Sequence, residues 1–370
     1  MKLLLSFLKI FLSVSVFVAC STIEIRERKS ENTVKDNQIT DVSFDQAEEV
    51  LGDFPIVRNS DVEKWIVYFQ TKGRRTFSQW MKQGGFFREA IEESLKNENV
   101  PVSLYYLSLI ESGFVHHAES EAKASGPWQF MRDTGRLYGL ESNSFIDERR
   151  DPVKSTHAAA AYLRDLRKKF GDWYLAVAAY NGGPRTIQDA IKKTGSRDFW
   201  VIKKAGLLKK QTGDFVPKMI AAVIIGNDPE SFGIKIEKLS DSVEFPDSVV
   251  KAKYPVKLSD IAKKLSIPLS KLKEWNPELI KGVIPERTIR DKNVYALRLS
   301  EDYHQKYYEI EPELSKIRLK QYRLHKMLKG ETLAKIARQY QVPLKELLKA
   351  NPKMQAKKLK VGSEISIPYS

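Results

Sequence analysis

The residues best suited to chemistry lie between Tyr106 and Met131 and again around Tyr180. Glu111, followed by Ser112 and Gly113, ends a run in which Leu107, Leu109 and Ile110 read as a buried helix. A carboxylate at the end of an apolar helix is costly to bury unless something uses it. Downstream, Ser125-Gly126-Pro127-Trp128-Gln129-Phe130 predicts a tight turn into a second helix, with an aromatic ring and an amide at its mouth. Gly126 there allows close backbone approach. Ala179-Tyr180-Asn181-Gly182-Gly183 closes an alanine-rich helix with a polar tip. An acid, an amide and a phenol paired with an amide, each at a helix end, suit the protonation of a sugar oxygen.

Blander readings stand beside this one. Gln129 and Asn181 also fit turn chemistry or helix capping, Asn181 all the more because two glycines follow it. A surface salt bridge is the alternative for Glu111, and the apolar run before it argues against that. His116 and His117 stand beside Glu119 and Glu121, but neighbouring histidines rarely reach one ion together and no spaced third ligand follows. No metal or other cofactor is expected.

Glu111-Ser112, the turn from Gly126 to Gln129, and Ala179-Tyr180-Asn181 resemble the three motifs of family 1 lytic transglycosylases. The wider context is similar to the membrane-bound D-type branch: Trp65 to Tyr68, Phe130-Met131 to Thr134-Gly135, Asp147 to Pro152, and Val216-Pro217-Lys218. The likeness covers roughly Asp61 to Gly233, and the ordered set is far more specific than any one motif. Arg132 and Pro184-Arg185 depart from the pattern, and they bear on substrate range more than on the acid.

The resemblance implies a lysozyme-like, all-helical catalytic domain that cuts the bond between N-acetylmuramic acid and N-acetylglucosamine in peptidoglycan. Most glycosidases use two carboxylates. The motifs supply only Glu111, which the resemblance makes acid and then base, the substrate's N-acetyl group doing the rest. Apolar surroundings would raise the pKa of Glu111, with Leu107, Ile110, Trp128 and the alanine-rich helix as the pocket. Tyr180 would orient the carboxyl, while Ser112, Gly126, Trp128, Gln129, Phe130 and Asn181 would line the saccharide. Two rivals stay open. One is a hydrolytic muramidase with Asp133, Glu141 or Asp147 as second carboxylate; the other is a non-catalytic wall tether.

The elements that would position these groups can be read in order. Residues 1–20 form a secretory signal with a basic start and an apolar stretch too short for a membrane span. Cys20 is the only cysteine and resembles the lipidation site of bacterial lipoproteins, which implies anchoring to a membrane, the outer one, on its periplasmic face. Residues 21–60 are polar and lack the apolar surface to offset ordering entropy, so a flexible tether is expected. The catalytic domain would occupy 61–235. Val62, Trp65, Ile66 and Phe69 recur at helical spacing with Asp61 as cap, and the aromatics from Trp65 to Phe87 read as core rather than sugar-stacking groups. Pro101 opens the helix that carries Glu111, Asp151-Pro152 starts another, and Gly171 stops it. No strand alternation occurs between Asp61 and Ile225.

Beyond Lys235 two stretches each read strand, helix, helix, strand. Residues 321–369 resemble a LysM glycan-binding domain, with Gly330-Glu331-Thr332-Leu333 as turn and cap. Residues 250–300 lack that turn and resemble a degenerate copy, a binder or a spacer. The net charge of +15 lies almost wholly in residues 251–370, with 27 Lys and Arg against 13 Asp and Glu. Interleaved acids and the signal argue against nucleic acid as a partner. Peptidoglycan carboxylates, anionic headgroups and a merely solubilising surface all fit the charge.

Overall fold

A computed structural model describes residues 49–51, 54–143, 145–236, 246, 248–253, 255–284, 294–316, 322–352 and 360–368. The signal, Cys20 and the tether up to residue 48 lie outside them.

Order begins before Asp61. A hairpin pairs Glu49–Leu51 with Phe54–Ile56, and Phe54 and Ile56 are buried in the core. The polar composition of the tether hides these two anchors. Ser60–Gln70 follows, capped by Asn59, whose side chain accepts from the Asp61 and Val62 amides. Asp61 is not the cap; it pairs with Lys203 at 2.6 Å. Arg74–Gly85 and Arg88–Asn97 lead to Pro101, a single 3-10 turn Val102–Leu104, and the acid helix Tyr105–Ser112.

Asp151 caps Pro152–Phe170 by accepting from the Val153 and Lys154 amides, and Gly171 ends that helix at φ +80°. Asp172 caps the alanine-rich helix Trp173–Gly182. The long helix Lys210–Asn227 closes the body. Its buried residues include Ala221 and Ala222, and the facing helices bring Ala158 to Ala160 and Ala176 to Ala179. Small side chains on facing helices let the axes approach, and this is what carries the tip of the alanine-rich helix to the acid. Among the described residues from Asp61 to Ile225 the only β features are isolated bridges such as Ser125–Phe130. The body is mostly helical.

The two C-terminal stretches share a plan. Val249–Ala252 pairs antiparallel with Tyr295–Arg298 around Leu258–Leu265 and Leu269–Trp275; Tyr322–Lys326 pairs with Glu364–Pro368 around Leu333–Gln339 and Leu344–Ala350. The repeat extends to single atoms. Asn276 donates to the Leu272 and Arg298 carbonyls and accepts from the Arg298 amide. Asn351 does the same with Leu347 and Ser366. Thr332 caps the second copy's first helix, accepting from the Lys335 amide; Lys257 offers the first copy no side-chain cap.

They differ in attachment. Val250, Leu258, Ile261 and Leu272 of the first copy belong to the same contiguous core as the helical body. The second copy has a core of its own, built on Ile336, Leu347 and Ile365. The first copy docks on the Asp147 to Pro152 stretch. The Asp147 amide donates to the Glu278 carbonyl at 2.8 Å and the Ile280 amide to that of Phe145 at 3.0 Å. Arg298 reaches both oxygens of Asp151 at 3.3 Å, and both side chains are buried. Glu278 lies alongside, bonded to the Tyr295 hydroxyl. Burial first, then the Asp151 charge, holds its carboxyl above the usual range.

Removing one partner of a buried pair leaves an uncompensated charge. Arg298→Met is therefore expected to lower stability by about 3 kcal/mol, read as a fall in the thermal midpoint of the whole body. An unchanged midpoint would show that the module merely rests on the domain.

Candidate active site

Glu111 sits one residue from the end of the acid helix. Gly113 ends that helix at φ +62°, and a Cβ there would lie 2.2 Å from the Trp80 ring, so no other residue fits. Glu111 is partly buried. Burial raises its pKa to about 7, against the opposing pull of the Lys218 ammonium and a hydrogen bond from Asn181. Desolvation wins because a carboxylate in low dielectric loses more hydration than one cation and one amide restore. The acid therefore holds its proton to near neutrality.

The turn is fixed to the acid helix from below. Ser108 and Ser112 both donate to the Pro127 carbonyl, at 3.0 and 2.8 Å. Gly126 adopts φ +82°, and its missing Cβ leaves room for the Arg149 carbonyl, which a Cβ would meet at 1.7 Å. Arg149 is the hub behind the turn: buried, doubly bonded to Asp147 at 2.8 Å, and donating to the Lys123 and Phe130 carbonyls at 2.9 Å. Gln129 takes φ +49°, and its amide donates back to the Gly126 carbonyl at 2.8 Å.

Several expected partners differ. Tyr180 does not aim the acid: its hydroxyl donates to the Trp128 carbonyl at 2.7 Å, and its ring packs near Phe130 and Tyr162. The group bonded to Glu111 is Asn181. Thr212 donates to the Asn181 Oδ1 at 3.1 Å, which turns the amide nitrogen toward the carboxyl. Trp128 and Phe130 are buried, and the Trp128 indole donates to Thr156 at 2.8 Å. They form walls, not a saccharide-facing surface. Gly126 is buried against protein backbone as well. Ser112, Gln129, Tyr180 and Asn181, like Glu111, keep some exposure.

The three carboxylates of the hydrolytic rival have other engagements. Asp147 is locked on Arg149, and its pKa is lowered despite burial by that guanidinium. Asp133 is exposed and pairs with Arg136, and Glu141 accepts from Asn143 at 2.6 Å. Among the described residues no carboxylate is a cause of the Glu111 shift. His116 packs edge-on against Phe87 and His117, and burial pushes it down to about 4.

Sequence reasoning missed Thr212, and it passed over Trp65, Trp80 and Lys218 as core or context. The partial exposure of both tryptophans becomes visible only in the folded chain.

Residues 89–203 match the family described as Transglycosylase SLT domain. Residues 248–316 match "Lytic transglycosylase MltD, LysM-like domain", and 325–368 match the LysM domain. The chain is 33% identical over 290 residues to the membrane-bound lytic murein transglycosylase D of Escherichia coli K12, covering 75% of this chain and 62% of that protein. It thus spans less than two thirds of that relative. Two solved structures align more loosely. An inactive mutant of the lytic transglycosylase Slt of Pseudomonas aeruginosa gives 24% identity over 39% of this chain and 24% of that one, TM-score 0.34. The 70 kDa soluble lytic transglycosylase of Escherichia coli gives 20% over 38% and 24%, TM-score 0.35.

Proposed function

From the premise that the chain joins a transglycosylase SLT domain to a LysM-like and a LysM module, we propose that it is a peptidoglycan lytic transglycosylase. The observation that carries this reading is a single acid, protonated to about pH 7, with no second carboxylate among the described residues acting on it.

Glu111 donates its proton to the oxygen between N-acetylmuramic acid and N-acetylglucosamine as the bond from that oxygen to the muramoyl anomeric carbon breaks. The N-acetyl carbonyl oxygen of the muramoyl residue bonds to the vacated carbon. Glu111, now a carboxylate, takes the proton from the muramoyl C6 hydroxyl. That oxygen displaces the acetamido oxygen and closes a 1,6-anhydro ring. The acid ends protonated, and no water is consumed. Asn181 holds the carboxyl in both protonation states, and Tyr180 acts one step back by fixing the Trp128 carbonyl and with it the turn. Ser112, Gln129 and Asn181 keep the exposure needed to meet the saccharide.

The second LysM unit, with its independent core, supplies affinity for glycan strands. The first serves the fold of the catalytic body, from which its core is inseparable. Cys20, outside the described residues, carries lipid and ties the protein to the outer membrane facing the periplasm; membrane fractionation of Cys20→Ala tests that point. Among the described residues no helix is long and apolar enough to cross a membrane.

Digestion of sacculi in oxygen-18 water is the test. Unlabelled anhydromuramoyl ends are expected, whereas labelled reducing ends as the main product would establish a hydrolase.

A further inference from the structure

Lys218 enters the site from the long helix, 107 residues after the acid in the chain. Its ammonium lies 5.6 Å from the centroid of Trp65 and 5.3 Å from that of Trp80. Two indole faces attract and desolvate a cation, so the flexible lysine stem is held in one place. The same nitrogen is 3.5 Å from the Ile110 carbonyl, at the long limit of a hydrogen bond. Ile110 belongs to the last turn of the acid helix, where carbonyls lack helical partners and the negative end of the helix dipole falls. The cation therefore stands where that negative end and the Glu111 carboxyl converge.

The surrounding charges support the pairing. From the neighbouring helices Asp61 is taken by Lys203, Glu63 by Arg58 and Asp214 by Lys210. Glu111 itself is faced by Lys218, by the Asn181 amide, and by the Tyr180 phenol. That phenol stays neutral, since burial and then the Glu111 charge push its ionisation well above the usual value.

We propose that Lys218 is a positioning residue for the acid: clamped between Trp65 and Trp80, its ammonium balances the charge that Glu111 acquires on giving up its proton. In the proposed reaction Glu111 passes from neutral to anionic and back. A fixed cation stabilises the anionic interval without touching the sugar. It also opposes burial, keeping the acid strong enough to donate and the carboxylate long-lived enough to accept. The catalytic consequence rests on the proposed role of Glu111; the charge balance does not.

The test is a titration of the full chain by carbon-13 NMR with labelled glutamate carboxyls, the Glu111 signal being assigned by its loss in Glu111→Gln. Lys218→Met should raise the Glu111 midpoint by about one pH unit, the lower end of the effect of an adjacent opposite charge. Lys218→Gln, which keeps a polar group for the Ile110 carbonyl, should raise it equally, and Lys218→Arg should leave it in place. On sacculi the alkaline limb of kcat/KM should move upward with the midpoint, and the plateau kcat should fall on the order of threefold with KM steady. A midpoint unmoved in Lys218→Met and Lys218→Gln, or moved as far in Lys218→Arg, overturns the proposal. Should the protein fail to cut sacculi, the functional reading falls while the titration still decides the role of Lys218.

Discussion

Glu111→Gln is expected to abolish sacculus cleavage, lowering turnover by about ten-thousand-fold or more, because one group performs both proton transfers and each contributes up to that factor. The amide preserves shape and can still accept from Asn181, so the circular dichroism spectrum should not change. Two pH measurements sharpen the result. In the parent protein kcat/KM should fall as pH rises through about 7, where Glu111 loses the proton it must donate. Stability should show the same group with a definite sign. A carboxyl whose folded pKa is raised favours the fold below its ordinary value of 4.5, and that favour is lost as pH rises through about 7. Glu111→Gln should therefore unfold at a higher temperature than the parent at pH 8, with the advantage vanishing near pH 4. Retention of even a tenth of the parent activity would remove Glu111 from the centre of the mechanism.

Gly126→Ala should be damaging to both stability and rate without touching any group that reacts. The new methyl would sit 1.7 Å from the Arg149 carbonyl, on a backbone at φ +82°. A carbonyl in the middle of a bonded stretch has no flexible end to swing away, so the turn itself must move. Left-handed strain and overpacking each cost roughly 1–3 kcal/mol, which predicts a loss of stability of about 3 kcal/mol or more. The displaced segment includes Pro127, to which Ser112 is bonded, and Trp128, to which Tyr180 is bonded. A shift of about 1 Å in such a support can cost on the order of a hundredfold in rate. The measurement is turnover on sacculi beside thermal unfolding. A variant with parent-like stability and rate would mean that the turn has slack which its packing does not suggest.

The chain's local grammar settled a good deal. Apolar periodicity marked Tyr105–Ser112 as a buried helix with an acid at its end, Asp151-Pro152 and Gly171 bounded Pro152–Phe170, and Thr332 capped the second module's first helix. Caps, breakers and periodicity act over a few residues, so they can be read without the fold. Even so, Asn59 rather than Asp61 took a cap, because both can accept and Lys203, far along the chain, claimed the aspartate. What only the tertiary structure decided was partnership. Tyr180 and Asn181 are neighbours at one helix tip, and sequence gives no reason to assign the acid to one of them. The approach of Lys210–Asn227 put Thr212 behind Asn181 and turned its amide to Glu111, leaving Tyr180 to the Trp128 carbonyl. The same approach brought Lys218 between two tryptophans. It was packing, too, that made the first LysM-like unit part of the helical body's core and left the second independent. Residue types state what each group can donate or accept; which group it meets within about 3 Å depends on contacts between residues far apart in the chain, Asn181 with Thr212, Trp128 with Tyr180 and Asp61 with Lys203.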